Sequence, residues 1–277
     1  MARLLSDGGR GAGDVGPEGR RRAAYEGRAE GGAGDVHIIF DFDGTIHDTS
    51  AVFMPALADT IEWLADAAPN VAVGRMPDAA EVGLRLGSDA AGLWKSIAPG
   101  MDDGTADACV EHMRERILVH ARAGEARLYA QATETLDTLV ADDHVLSLLS
   151  NCRTSYLNCF TDVFDLGHWF SHLWCGEAFG WISKSEIFAR VQGELGGGVS
   201  EGSGAAGGAA DDNLAHGTSE GDCIVVGDHK GDIAVAAARG MKSVGCAYGF
   251  GGEGELSAAT VICEEPEGLL EAIRSLM

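Results

Sequence analysis

The chain has 277 residues, enough for one large domain or a core with a smaller insert, and 45% of them are hydrophobic, so a packed core is within reach. Its 20 Lys and Arg stand against 43 Asp and Glu, a net charge of −23, which argues against nucleic acid or an anionic membrane surface as a partner, because an acidic surface repels both. No uninterrupted apolar run approaches the ~20 residues that span a bilayer.

Read from the N-terminus, residues 7–34 hold ten of the 40 glycines, with arginines and acids but almost no apolar period. Such a composition buries too little apolar area to offset the entropy of ordering, so 1–34 is predicted to be a disordered tail. Arg20–Arg22 do not make a targeting signal, because no apolar stretch follows them and acids are interspersed. Val36–Asp41 (VHIIFD) is a short apolar run ending in acid, the pattern of a buried parallel strand. Helical spacing follows over about 51–68 and 104–123, with helix boundaries unclear between them. From Ala130 onward helices and strands alternate: helix 131–141, strand 144–149, helix 154–165, strand 173–175 and helix 185–195. Nine more glycines crowd 195–221, which reads as a flexible insert. Strand 223–226, helix 231–239, strands 242–246 and 260–263, and helix 267–275 close the chain. The alternation implies an α/β fold with a parallel sheet, whose ligands bind beyond the carboxyl ends of the strands. Seven scattered cysteines with no CxxC spacing suit reduced thiols and a cytoplasmic location.

The strand ends carry the chemistry. Asp41-Phe-Asp43-Gly-Thr45 sets two carboxylates two residues apart, on one face of an extended chain, before a glycine that permits a sharp turn. Paired carboxylates suit either a divalent cation or a nucleophile beside an acid/base. Ser150-Asn151 ends the next strand with a hydroxyl and main-chain N–H groups near a helix start, a natural phosphate contact. Lys184, one of four lysines, opens the following helix, and a compact ammonium pairs well with phosphate. Val225-Val-Gly-Asp228-His-Lys-Gly-Asp232 ends a further strand with two acids; Asp228 is the better metal ligand, and Asp232 could equally cap the helix.

Together, DFDGT (41–45), LLSN (148–151), KSEIF (184–188) and VVGDHKGD (225–232) resemble the haloacid dehalogenase-like (HAD) phosphohydrolase superfamily, in particular its phosphoglycolate phosphatase-like branch. The resemblance runs from about 36 to 277 apart from the insert. It implies a Rossmann-like parallel-sheet core, residues 35–52 and 128–277, with a mainly helical cap at 53–127 inserted after the first motif. It further implies Asp41 as nucleophile and Asp43 as general acid and base, with a raised pKa. Thr45, Ser150, Asn151 and Lys184 would serve the phosphoryl group, and Mg²⁺ would be held by Asp41, Asp43, Asp228 and Asp232. Residues 41, 43, 184 and 228 are then expected to line one cavity. The implied activity is hydrolysis of a small phosphomonoester by a monomer or homodimer, with a sugar phosphomutase as the alternative and a non-catalytic binding protein as a third reading. Arg85, Lys95 and Arg114 are the cap candidates for substrate contact, with a role as surface charges the alternative. His47 stands where relatives commonly carry an aliphatic or acidic residue, and is expected at the surface or against substrate.

Overall fold

A computed structural model of the protein describes residues 36–78, 81, 90–192, 223–252 and 254–277. The tail and the glycine-rich insert foreseen at 1–34 and 195–221 lie outside them.

The alternating pattern folds as a six-stranded sheet: β1 (His37–Phe40), β2 (Val145–Ser150), β3 (Phe170–Cys175), β4 (Cys223–Gly227), β5 (Lys242–Cys246) and β6 (Val261–Cys263). Every pairing is parallel, and the strand order is β3-β2-β1-β4-β5-β6. The helices are α1 (Ser50–Ala67), α2 (Ala90–Ile97), α3 (Asp103–Arg122), α4 (Ala132–Ala141), α5 (Thr154–Phe164), α6 (Lys184–Val191), α7 (Lys230–Ala237) and α8 (Leu269–Arg274). The α/β class and most element positions match the periodicity. β3 begins three residues earlier than its apolar run suggests, and α2 forms in the stretch where proline and glycine obscured the period.

Strands buried on both faces need apolar residues on both, and β1 supplies them in alternation. Ile38 and Phe40 join Leu146, Leu148 and Val226 on one face, under α4, α5 and α8. Ile39 joins Leu149 and Val225 on the other, covered by Ile187 and Phe188 of α6 and Val235 of α7. This two-sided burial explains why the strands read as continuous hydrophobic runs.

Between β1 and β2 the chain leaves the sheet to build α1, α2 and α3. α1 buries Val52, Ala56, Leu57, Thr60 and Leu64. α3 buries Ala106, Cys109, Val110, Met113 and Ile117, and starts cleanly because Asp102 accepts the Thr105 N–H at 3.0 Å. The sheet order reverses direction between β1 and β4, so the crevice beyond their carboxyl ends lies open for a ligand.

Candidate functional site

Asp41 leaves β1 still tied to the sheet, its N–H donating to the Val226 carbonyl at 2.8 Å. Its Oδ1 accepts the Phe42 N–H at 2.8 Å and pairs with Lys184 Nζ at 2.8 Å. No hydrogen bond reaches Oδ2 among the described residues. Lys184 is placed by local chemistry at the start of α6: Ser183 Oγ accepts the Glu186 N–H, and Glu186 accepts the Ser183 N–H in return. The same ammonium reaches Asp232 Oδ1 at 2.6 Å. Asp232 Oδ2 accepts the His229 N–H at 3.1 Å, so this residue both opens α7 and holds the lysine.

Asp228, fully buried at the end of β4, accepts the Thr45 hydroxyl at 3.3 Å and the Phe250 N–H at 2.7 Å. Gly44 makes this approach possible: it sits at φ +76°, and a Cβ there would lie 2.2 Å from Asp228 Oδ2. One oxygen from each of Asp41, Asp228 and Asp232 lies within 4.8 Å of the other two. Burial pushes the Asp41 carboxyl well above its ordinary value, against the pull of Lys184 and with the repulsion of Asp232 and Asp228. Asp228 is pushed up to about 6, again chiefly by burial. Burial alone would depress the Lys184 ammonium, but Asp232 and Asp41 hold it above the usual lysine range. Three crowded carboxylates facing one ammonium leave uncompensated negative charge. A hard divalent cation with oxygen ligands, such as Mg²⁺, fits that donor set.

Asp43 differs from expectation. Its Oδ1 accepts three donors, the Tyr156 hydroxyl at 2.6 Å, the Thr49 hydroxyl at 2.7 Å and His47 Nδ1 at 3.0 Å. Burial alone would raise its pKa, but the His47 ring and the two hydroxyls together bring it below the ordinary carboxylate value. The raised value foreseen from sequence is therefore corrected for this arrangement. His47 is corrected too, being neither at the surface nor in the cavity. It is fully buried, stacked on Phe42 and packed against Phe160, with its Nε2 lacking a hydrogen-bond partner. Tyr156 and Thr49 were missed by sequence reading. Thr49 stands two residues after His47, but nothing in the local pattern marks Tyr156, which reaches Asp43 only because α5 crosses the end of β1.

These groups open on a cavity of about 780 Å³. Asp41, Asp43, Ser150, Asn151, Lys184 and Asp232 line it. Thr45 and Asp228 lie behind that surface, so of the four residues expected to share the cavity three line it and Asp228 supports it from beneath. The Gly249–Gly251 loop, assigned no part in the site from sequence, closes on Asp228, where a Cβ at Gly251 would meet the Asp228 carbonyl at 2.0 Å. Arg114 lines the cavity, Lys95 instead pairs with Asp103 at 2.5 Å, and Arg85 lies outside the described residues.

Comparison with known proteins bears on the family and the fold. A phosphoglycolate phosphatase of Agrobacterium fabrum is 26% identical over 217 residues, 76% of this chain and 80% of that protein. Among solved structures, a haloacid dehalogenase-like family hydrolase from Streptococcus pneumoniae has a TM-score of 0.62 at 18% identity, covering 86% of this chain and 98% of its own. A predicted phosphoglycolate phosphatase from Haemophilus somnus has a TM-score of 0.62 at 18% identity, over 87% and 99%. A beta-phosphoglucomutase candidate from Thermotoga maritima has 0.59 at 17%, over 87% and 100%. At those identities the structures speak for the fold alone. Residues 37–240, from the first strand through the second acidic motif, match the haloacid dehalogenase-like hydrolase family, and to that family of enzymes this chain belongs.

Proposed function

We propose that the protein is a Mg²⁺-dependent phosphatase that hydrolyses a phosphomonoester through an aspartyl-phosphate. The observation that carries the reading is the pairing of Asp41, with Oδ1 occupied and Oδ2 free of partners among the described residues, with Asp43 on the wall of one cavity. The Asp41 oxygen attacks phosphorus, and the departing alkoxide takes a proton from Asp43. Asp43 then removes a proton from the water that attacks the phosphorus of the aspartyl-phosphate, releasing phosphate and restoring Asp41. A substrate phosphate seated against Asp41 adds negative charge near Asp43, which raises the Asp43 pKa from its depressed resting value toward the acid role. Lys184, with Ser150 and Asn151, neutralises and orients the phosphoryl oxygens. Asp41 and Asp228, with the Asp43 main-chain carbonyl and Asp232 beside them, would hold Mg²⁺, which would supply charge neutralisation at the phosphoryl group.

The helices between β1 and β2 are read as a cap over the core, with 53–127 as its extent; α2 and α3 contribute to the cavity wall, as a cap would. The homologue named a phosphoglycolate phosphatase favours hydrolysis over transfer. A phosphomutase would use the same aspartates to return the phosphoryl group to a sugar, and assay with a bisphosphorylated sugar separates the two.

Mg²⁺-dependent release of p-nitrophenol from p-nitrophenyl phosphate is the direct test. Asp41→Asn should abolish it, and a variant keeping most of the wild-type rate overturns the nucleophile assignment.

A further inference from the structure

Although a named relative acts on phosphoglycolate, whose leaving group is small and carries a carboxylate, the cavity wall facing away from the aspartates is built for something else. Within 53–127 the described lining residues are seven apolar side chains, Phe53, Trp94, Met113 and Ile117 among them, and one cation, Arg114. Arg114 is already engaged: its guanidinium pairs with Glu111, which Arg153 of the lining also meets at 3.0 Å, so two arginines share one carboxylate at the edge of this apolar wall. Glu255 sits in the lining on the core side beside Lys230 and His229, accepting the Lys230 N–H at 3.2 Å and meeting the His229 ring at 3.4 Å, so this edge presents an already partnered carboxylate and, among the described residues, no arginine fork for a ligand carboxylate.

The mouth carries a second, independent sign. Trp181 lines the cavity with 53% of its surface exposed, the most of any large apolar side chain among the described residues. It holds φ at +62°, a backbone region unfavourable for a bulky residue, fixed by donation of its N–H to the Gly176 carbonyl at 2.8 Å. Gly176 also makes room for the indole, since a Cβ there would lie 3.1 Å from Trp181 Cε3. An indole held open to water at a conformational cost, beside the lysine that meets phosphate, is a flat surface prepared for a ligand.

We propose that the substrate is a phosphomonoester of a bulky, predominantly apolar alcohol, seated against the α1–α3 wall and the Trp181 ring, rather than of a small anionic alcohol. This rests on the phosphatase reading above, and the test keeps the two apart. Methyl, butyl and hexyl phosphate, with similar leaving groups, are compared with 2-phosphoglycolate by kcat/KM under Mg²⁺. Burial against the wall should raise kcat/KM by about fourfold per methylene from methyl to hexyl, with hexyl phosphate ahead of 2-phosphoglycolate. Trp181→Gly should cut turnover of hexyl phosphate by roughly tenfold or more and methyl phosphate far less. Leu118→Lys, placing a cation on the wall at a half-buried site, should lower hexyl phosphate and raise 2-phosphoglycolate. Unchanged inhibition by inorganic phosphate reports that each variant keeps its phosphoryl site. A flat alkyl series, or 2-phosphoglycolate as the best ester, overturns the substrate class and leaves the phosphatase intact. No turnover of any ester overturns both.

Discussion

At the scale of single residues, the arrangement around Asp43 is the least expected feature. A carboxylate only accepts, so His47 must present a proton on Nδ1, and its Nε2 is left among phenyl rings with no partner. A buried polar nitrogen without a partner costs free energy, and that cost is tolerated where the other nitrogen has work to do. The Tyr156, Thr49 and His47 donors all fall on Oδ1, which fixes the carboxylate and leaves Oδ2 without a partner among the described residues. If this bundle orients a proton donor, its loss should hurt esters in proportion to the basicity of their leaving groups. His47→Leu keeps the apolar packing and removes the orphaned nitrogen, so stability should change by no more than about 1 kcal/mol. Turnover of an alkyl phosphate should fall by roughly tenfold, while p-nitrophenyl phosphate, whose leaving group needs little protonation, should lose about threefold or less. Equal losses on both esters would reduce His47 to a packing residue. None of this was legible beforehand: a histidine two residues before a threonine looks like loop polarity, and only the stacking on Phe42 and Phe160 turns its ring toward Asp43.

At the scale of elements, the sequence was most readable where one physical cause acts locally. The run at 37–40 and the acids that follow it declare a buried strand with a loaded end, and β1 delivers Asp41 as expected. Contributions from distant segments were hidden, because Phe250 and Tyr156 meet the aspartates only through the crossing of β4, β1 and α5. The start of α6 lies between these cases. Ser185 follows the lysine directly, but the residue that matters is Ser183, which caps the helix reciprocally with Glu186. Removing the cap in Ser183→Ala should cost about 1 kcal/mol of stability in urea unfolding. Lys184 is held independently by Asp41 and Asp232, so kcat should fall by no more than the roughly fivefold that the whole of this energy represents. A hundredfold loss in a folded variant would mean that the cap, rather than the two carboxylates, sets the ammonium in place.

At the scale of the molecule, the parallel sheet separates chemistry from connection. Its carboxyl edge gathers Asp41, Ser150 and Asp228, whereas Val191 and Cys223, the ends of α6 and β4 that flank the glycine-rich stretch, lie toward the opposite edge. α6 begins at Lys184 beside the site and runs eight residues, about 12 Å, away from it to Val191. β4 returns over five residues, about 16 Å, from Cys223 to Gly227. Both junctions of the glycine-rich stretch therefore lie roughly an element's length from the aspartates. Deleting 197–218 leaves eight residues between Gln192 and Cys223, a reach of about 26 Å and longer than most helix-to-strand connections in such folds. Shortening the connection from 30 residues to eight removes nearly two doublings of loop length, which should stabilise the fold by about 1 kcal/mol. The expected outcome is kcat within about twofold of the full chain and a small upward shift in the urea midpoint. A tenfold fall in kcat with an unaltered unfolding transition would mean that 197–218 reaches the catalytic edge, and that connection and chemistry are not separated by the sheet after all.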